Sequence, residues 1–244
     1  MHIHLPKPLH GWREFLGEVG IIVVGVVIAL GLEQVVETIH WHHKAEQATG
    51  ALRGEVGFNY MRAAELVITG PCVDRQLALL ETGLLAPGNT TKAAIFSDRT
   101  NHGFTFRAPS RPWGSDIWRS VVSEGVSSHL DSEFRTGMAG YSTQVELLHG
   151  YGEQADTLGW RLRSIALVNA IDSATKARLV EEIEEERGRY DLMALVAGQM
   201  MRSIQQLNLA PSDEDVRRFL AQSLTLRFCR AHNLPLGTLE PKPN

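Results

Sequence analysis

An uncharged apolar run near the amino terminus constrains this chain more than any other feature. Residues 19–32 read VGIIVVGVVIALGL, without a charge or a hydrogen-bonding side chain, between Glu18 and Glu33. A membrane-spanning helix needs about 20 apolar residues to cross a hydrocarbon core of about 30 Å, whereas runs of about 10–14 also occur in buried core helices and signal peptides. The run alone therefore leaves three interpretations open: a membrane anchor, a cleaved signal peptide and a soluble core helix.

The residues that flank the run favour the anchor. Apolar residues extend it from Phe15 to Ile39, and Trp12 and Trp41 bracket the whole segment. At 1.5 Å per residue the two tryptophans would stand about 43 Å apart along a helix. That distance matches a bilayer with its headgroup layers, where tryptophan is enriched. We therefore predict a transmembrane helix over residues 15–39.

The signal-peptide interpretation has evidence for it and against it. The triplet Ala29–Gly31 has the small residues of a cleavage site. However, Glu14 and Glu18 stand where a cationic segment is expected, and the apolar pattern continues past the triplet. In an anchor, Glu18 and Glu33 would lie near the two edges of the hydrocarbon core, where a carboxylate reaches the interface or protonates.

Positive charges near the two ends of the run predict its orientation. Lys7 and Arg13 precede the run, whereas Lys44 and Arg53 follow it among several glutamates. The positive-inside rule then places the amino terminus in the cytoplasm. In a bacterium the protein would be a single-pass inner-membrane protein with a periplasmic domain.

The boundaries follow from this orientation and from composition. Residues 1–14 form a cytoplasmic segment, 15–39 the transmembrane helix, 40–236 a helical extracytoplasmic domain and 237–244 a tail. The apolar fraction of 43% and the charged fraction of 21% are typical of a globular domain. A net charge of −4 argues against nucleic acid as a partner, because nucleic-acid binding needs a basic face.

The two cysteines, Cys72 and Cys229, belong to no CxxC motif. An even count in an exported domain predicts a disulfide. Closing a loop of roughly 157 residues would stabilise the fold by about 5 kcal/mol on the chain-entropy estimate. The alternative is two unrelated buried thiols, since free cysteine is commonly buried.

Helical periodicity predicts an all-α fold, in which the transmembrane helix continues into an antiparallel helical bundle with one long loop. The first helix should end at Gly70-Pro71, with Pro71 as the first residue of the next helix. Residues 86–112 have the composition of a loop that is functional or mobile. A short helix should follow over residues 115–123.

Capping residues predict the remaining helices. Asp131, Asp172 and Ser212 are good N-cap residues for helices that extend to about residues 168, 209 and 232. Short connections predict antiparallel packing of the long pair. Five glutamates within Glu181–Glu186 are interpreted as a solvated helix face.

Few residues carry a recognisable chemistry. His40 and His43 are i,i+3 neighbours on a helix and are weak candidates for metal ligands, with Glu37 or Glu46 as a third ligand. An interfacial patch beside lipid headgroups is the favoured interpretation. No GxSxG, P-loop, GxGxxG or HExxH motif is present. We predict no catalytic residue and no cofactor.

Small residues in the anchor predict contact between helices. Gly25 and Ala29 form a small-xxx-small pair, and Glu18 lies on the same side of the helix. Small residues permit close helix packing in membranes, although glycine is also common in membrane helices generally. The predicted partners are therefore membrane lipids and either another protein or a second copy of this chain.

Several segments resemble a family of uncharacterised bacterial single-pass membrane-anchored proteins. The resemblance is carried by Glu14-Phe15-Leu16-Gly17-Glu18-Val19 before the apolar run, Glu33-Gln34 after it, Cys72-Val73-Asp74-Arg75-Gln76, Trp118 with Ser123-Glu124-Gly125, and the helix that contains Tyr141. It spans most of the chain and is loose beyond the first 40 residues. It implies a single-pass anchor and a helical exported domain, and it carries no known activity, substrate or catalytic residue.

Two classes of function fit these features. The first is a non-enzymatic envelope protein that binds or scaffolds another protein. The second is a periplasmic ligand-sensing or enzymatic domain with its site under the loop of residues 86–112. A deep polar pocket with converging titratable groups would favour the second class, whereas a flat apolar groove would favour the first.

Overall fold

The computed structural model describes residues 11–88, 106–162, 165 and 170–239. This part of the chain contains no strand, which confirms the predicted all-α class. Its six α-helices are α1 (Trp12–Leu85), α2 (Asp116–Ser123), α3 (Ser132–Leu162), α4 (Ser173–Gln206), α5 (Asp213–Ala221) and α6 (Leu224–Ala231), and a 3-10 helix (Val126–His129) joins α2 to α3.

Helix α1 has two parts with opposite surroundings. It contains 74 residues, which corresponds to about 110 Å at 1.5 Å per residue. The apolar side chains of residues 15–39 are all exposed, whereas Leu52 and Val56 are fully buried. Among the described residues α1 is the one helix long and apolar enough to cross a membrane, and none of its apolar window is buried. The exposure excludes a soluble core helix, and an anchor or a signal sequence remains.

The predicted break at Gly70-Pro71 is wrong, because α1 continues through Pro71. A proline lacks the amide hydrogen, so the carbonyl of Val67 loses its usual donor. The carboxyl-terminal segment covers this point. The amide of Gly237 donates to the Ile68 carbonyl at 2.8 Å. A Cβ at Gly237 would lie 2.8 Å from the Val67 carbonyl oxygen, so this close approach needs glycine.

Helix α4 runs antiparallel to α1. The side chain of Gln205, near the end of α4, donates to the Tyr60 hydroxyl at 2.9 Å. Arg187, one half-helix earlier, pairs with Asp74 at 2.8 Å, further along α1. The hydrogen bonds that the Arg187 guanidinium donates to Asp74 and Glu184 raise its pKa.

Helix α3 also packs antiparallel to α4, as predicted for the long pair. Gly137 near its start faces Leu207, and Gly159 near its end faces Glu186. The core lies among α1, α3 and α4. Its fully buried side chains include Leu52, Leu77, Leu80, Met138, Tyr141, Leu148, Ile183, Met200 and Ile204.

The predicted N-caps are confirmed. Asp131 accepts from the amides of Glu133 and Phe134, Asp172 caps α4 and Ser212 caps α5. These hydrogen bonds lower the pKa values of Asp131 and Asp172.

One helix from Ser212 to residue 232 is not observed. The Ser223 hydroxyl accepts from the Leu226 amide at 2.9 Å and starts a second helix. The region therefore contains α5 and α6 rather than one continuous helix. Of the predicted loop, residues 89–105 lie outside the described residues, and residues 106–115 form no helix or strand.

Cys72 in α1 and Cys229 in α6 form a disulfide. Both residues are fully buried. The bond attaches the short helix α6 to the carboxyl-terminal part of α1, so the predicted pairing is confirmed.

We expect the disulfide to contribute much of the stability of the domain. It closes a loop of 157 residues, and loss of the cross-link should lower the free energy of unfolding by up to about 5 kcal/mol. Urea unfolding of the full chain in detergent, oxidised and reduced, measures the difference. A Cys72→Ala/Cys229→Ala variant should be insensitive to reductant. Equal unfolding midpoints for the oxidised and reduced wild-type protein would contradict the prediction.

Candidate binding groove

Polar side chains on α1 hold the last residues of the predicted loop and the residues that follow it. The amide of Arg107 donates to Gln76 Oε1 at 2.6 Å, and Gln76 Nε2 donates to the Arg107 carbonyl at 2.9 Å. Arg111 donates to both oxygens of Glu65, from Nε at 2.8 Å and from Nη2 at 3.2 Å. The segment therefore runs against α1 in the opposite direction.

Two further side chains continue this contact toward the amino-terminal part of α1. Asn59 Nδ2 donates to the Gly114 carbonyl at 2.8 Å and to the Tyr141 hydroxyl at 2.6 Å. Glu55 accepts from the Ile117 amide at 2.7 Å, at the start of α2. Burial raises the pKa values of Glu55 and Tyr141. We call Glu55, Asn59, Glu65 and Gln76 the polar ladder.

A groove of about 670 Å³ opens beside this segment. Its walls come from residues 106–111, from α1, α3 and α4, and from Gln222 and the start of α6. We call it the polar groove and define it by six of its lining residues: Glu65, Ser110, Arg111, Asp156, Trp160 and Tyr190. Its volume is within the range of about 300–1,000 Å³ that is usual for small-molecule sites.

The charged groups of the polar groove have different environments. The Glu65 side chain is 1% exposed and the Arg111 side chain is 38% exposed. In this ion pair the carboxylate is therefore buried, whereas the guanidinium partly contacts solvent. The guanidinium of Arg111 also lies 5.4 Å from the ring centre of Phe219. Asp156 is exposed and accepts from the Ser110 hydroxyl at 3.0 Å.

The glutamates of residues 181–186 are not all solvated, which corrects the interpretation of this run as an exposed face. Glu182 is 8% exposed and Glu186 is fully buried. Helical geometry explains the difference, because these two positions are four residues apart on the side of α4 that faces the bundle. Arg178 pairs with Glu182 at 3.2 Å.

Glu186 has one oxygen without a partner. Arg189 reaches Oε2 at 3.3 Å and donates also to Glu185 at 2.5 Å, while Glu186 Oε1 has no hydrogen-bond partner. Burial raises the pKa of Glu186 to about 8, Arg189 opposes this shift, and Asp156 adds to it. An unmade hydrogen bond of this kind costs about 1–3 kcal/mol.

The unpartnered oxygen lies behind the wall of the polar groove. A Cβ built at Gly159 would lie 3.9 Å from Glu186 Oε1 and 3.4 Å from Phe106 Cζ. Gly159 and Phe106 both line the groove. The buried carboxyl of Glu186 therefore lies close to Gly159, although Glu186 itself does not line the groove.

The lining of the polar groove combines polar and aromatic side chains. Ser110 and Asp156 form a hydroxyl–carboxylate pair, and among the described lining residues there is no histidine, cysteine or lysine. The groove thus offers carboxylates, guanidinium groups and aromatic rings to a ligand.

The predicted anchor residues lie along the uncovered part of α1. Trp12, Glu18, Gly25, Ala29 and Glu33 are all exposed, and a Cβ at Gly25 would meet no atom within 4 Å.

Trp41, the other bracket of the segment, is half-buried and packs against the domain. Its ring stacks on that of His129 at 4.1 Å between centroids. The 3-10 helix that carries His129 therefore lies at the level where the apolar segment ends.

The two candidate metal ligands, His40 and His43, are exposed. His43 lies 3.8 Å from Glu46, and so it has a carboxylate neighbour on its own helix. In the described part of the chain no group of three or more His, Cys, Asp or Glu residues is placed to hold a metal ion.

A second groove, of about 530 Å³, lies between α1, α4 and the carboxyl-terminal segment. We call it the apolar groove and define it by Val67, Leu195, Met201 and Leu239. Leu195 is 55% exposed. Leu239 packs on the core, which places the described residues of the predicted tail, 237–239, against α1.

Sequence reasoning did not identify the polar ladder or Glu186. The sequence does contain a signal for the ladder. Its four residues and Arg62 recur at spacings of 4, 3, 3 and 11 residues, which places them on one side of a helix: Glu55, Asn59, Arg62, Glu65 and Gln76. No comparable signal marks Glu186, since any of five neighbouring glutamates has the same local composition.

Comparison with protein-family models, with curated proteins and with solved structures found no match to this chain. The resemblance to a family of membrane-anchored proteins therefore stays a prediction.

We expect Glu186 to make stability fall as pH rises. A carboxyl whose pKa is raised on folding, here from 4.5 to about 8, stabilises the fold fully below the lower value and loses this contribution as pH approaches the upper one. The slope is at most about 1.4 kcal/mol per pH unit. Urea unfolding of the wild type and Glu186→Gln between pH 5 and 9 measures it.

The variant should unfold with a flatter pH dependence and should be more stable than the wild type at pH 9. Glu181→Gln is the matched control, because Glu181 is exposed on the same helix. Parallel pH profiles for the wild type and Glu186→Gln would show that Glu186 does not titrate in this range.

Proposed function

We propose that this chain is a single-pass protein of the bacterial inner membrane and that its periplasmic domain is a non-enzymatic binding module. In this proposal residues 1–14 are cytoplasmic, residues 15–39 cross the membrane, and the helical domain recognises its ligand in the polar groove. The polar groove is the observation that carries the binding role.

The proposed location is supported by the continuity of α1. The exposed apolar segment and the buried residues that begin at Leu52 belong to one unbroken helix. Exposed apolar side chains over this length are unfavourable in water and favourable in lipid. The Cys72–Cys229 disulfide supports a periplasmic domain, because such bonds persist in oxidising compartments.

The binding role is supported by the position of the polar groove. It lies under residues 106–111, which are the described end of the predicted loop, and titratable groups from three helices converge there. A polar pocket with converging titratable groups is the feature expected of a ligand-sensing domain, whereas a scaffolding domain is expected to have a flat apolar groove. Glu65 comes from α1, Asp156 from α3 and Tyr190 from α4.

The apolar groove favours a second candidate, the binding or scaffolding of another protein. Leu195 is 55% exposed at its rim, and Leu192 nearby on α4 is 47% exposed. Exposed apolar side chains that lie next to one another mark protein contacts more often than isolated ones do.

A reporter fused after Asn244 tests the proposed topology. A phosphatase that is active only in the periplasm should be active in this fusion, and a fluorescent protein that matures only in the cytoplasm should be dark. The carboxyl-terminal segment packs on α1, so the fusion point reports the side of the membrane on which the domain lies. The reverse pattern would overturn the periplasmic assignment.

Capture of ligands from solubilised membranes tests the binding role. We compare the wild type with Asp156→Arg, which reverses a charge in the polar groove, and with Leu195→Asp, which places a charge at the apolar groove. Both residues are exposed, so both variants should fold. Loss of the captured molecule only in Asp156→Arg supports the polar groove as the site. Loss only in Leu195→Asp supports the scaffolding alternative and contradicts the first proposal.

A further inference from the structure

Helix α1 has an exposed face in the domain, beyond the apolar segment. Gly50, Gly54 and Phe58 are exposed and follow one another at intervals of four residues, so they share one side of the helix. The Phe58 side chain is 55% exposed. A Cβ at Gly50 or Gly54 would meet no atom within 4 Å. This side of α1 is therefore open to a partner and carries one large aromatic side chain.

An open groove lies directly beside Phe58, between α1 and α5. Its volume is about 360 Å³, and its lining includes Gly54, Gly57, Pro211 and Asp215. We call it the α1–α5 groove. Gly57 forms its floor close to the residues before α5, since a Cβ at Gly57 would lie 4.0 Å from the Pro211 Cβ. The same face thus carries a protruding apolar side chain and a groove with room for one.

Charged side chains of opposite sign flank this face. On one flank the guanidinium of Arg62 lies 6.0 Å from the centre of the Phe58 ring. On the other flank the first turn of α5 contains the three acidic residues 213–215. Arg218 pairs with two of them. The first turn of α5 is therefore acidic, and a guanidinium is the complementary group.

Helical geometry places Phe58 and α5 on opposite flanks of the face. At 3.6 residues per turn, Phe58 and Arg62 are rotated by about 40° and 80° from Gly54 in one direction, and Gly57 by about 60° in the other. A two-fold axis parallel to α1 would place each flank of one copy against the opposite flank of a second copy. Phe58 of each copy then meets the α1–α5 groove of the other at its own height, and Arg62 meets the acidic turn of α5.

We propose that a second copy of this chain covers this face, with Phe58 of each copy in the α1–α5 groove of the other. The inference rests on the proposed anchor, because two copies that cross one membrane with the same topology hold their α1 helices parallel. It does not depend on what the polar groove binds. In the anchor, Gly25 and Ala29 lie within about 20° of the direction of Gly54, so the same side of both anchors faces the axis.

The size of the contact indicates where the dimer forms. Residues 47–61 extend about 21 Å along α1, and α1 and α5 side by side are about 20 Å wide, which gives a footprint of about 400 Å² per copy. A standard stable interface buries about 800 Å² per partner. The contact between the domains is therefore small for a dimer in solution. Two copies held in one membrane meet at a higher effective concentration, so we expect the dimer in the membrane.

Cysteine cross-linking of the full chain in phosphatidylcholine vesicles tests the proposal. Gly54 lies nearest the axis, so a mild oxidant should join two copies of Gly54→Cys through this position. Glu181→Cys is the control for random collision, because Glu181 is exposed on α4. At high dilution in lipid, we expect at least fivefold more cross-linked dimer from Gly54→Cys than from Glu181→Cys.

Further substitutions in the Gly54→Cys chain identify the surface. Phe58→Glu should lower the cross-linked fraction at least fivefold, because a carboxylate would replace the ring in the groove. Leu195→Glu is the matched control and should leave the fraction unchanged, since Leu195 is also 55% exposed but lies at the apolar groove. Glu214→Arg should lower the fraction, because it places a like charge opposite Arg62.

Three outcomes overturn the proposal: equal cross-linking of Gly54→Cys and Glu181→Cys, cross-linking that Phe58→Glu leaves unchanged, or cross-linking that Leu195→Glu abolishes. An unchanged fraction in Glu214→Arg contradicts the placement of Arg62 against α5.

Flotation with the vesicles distinguishes failure of the dimer from failure of the anchor. A chain that floats without cross-linking removes the dimer alone, whereas a chain that does not float removes the anchor and the dimer together. The capture experiment with Asp156→Arg tests the binding role separately, because Asp156 lines the polar groove and not this face.

Discussion

The fold of this domain depends on the contact between one long helix and a segment without regular structure. The polar ladder of α1 holds residues 107–117 by side chains alone, since the backbone of α1 is already hydrogen-bonded within the helix. Asn59, Glu65 and Gln76 are at most 1% exposed. Loss of any of their hydrogen bonds would leave a buried polar group without a partner, which lowers the stability of the fold. The segment is therefore held in register with α1, and the wall of the polar groove takes its position from that register.

Burial of charge has opposite consequences at the two carboxyls near this wall. Glu65 is buried and forms a bidentate ion pair with Arg111. Bidentate pairs of this kind offset much of the free-energy cost of removing a carboxylate from water. Glu186 shares its arginine with Glu185 and keeps an oxygen without a donor. The first carboxyl supports the structure, whereas the second remains strained. Buried carboxyls with an unpaired oxygen and a raised pKa are typical of places where a protein changes its charge or meets a ligand.

The features predicted correctly from the sequence depend on local periodicity and residue type. The predictions were wrong where contacts between distant segments determine the structure. The all-α class, the N-caps at Asp131, Asp172 and Ser212, and the Cys72–Cys229 pair followed from residue type and spacing. The helix end predicted at Pro71 was wrong, although a proline would end an isolated helix. In this fold the Gly237 amide and the disulfide at the next residue, Cys72, hold α1 in place where the proline removes a hydrogen bond. The solvated interpretation of Glu186 failed because the local sequence does not reveal which side of α4 meets α3. The polar ladder had a helical signature, but only the partner segment explains it.

In the proposed topology, the length of α1 also limits which ligands could reach the polar groove. Glu65 follows Ile39 by 26 residues, so the groove stands about 39 Å along the helix from the end of the apolar segment, at 1.5 Å per residue. A lipid headgroup in the same membrane does not reach that height, since the headgroup layer adds only about 5–8 Å to each side of the hydrocarbon core. With residues 15–39 in the bilayer, as proposed, the ligand must come from the surrounding compartment or be presented by another protein. In the same proposal, the exposed His40 and His43 and the stacked pair of Trp41 and His129 would lie at the level of the membrane surface. The two ends of the domain would then meet different chemical surroundings, because α1 is continuous between them.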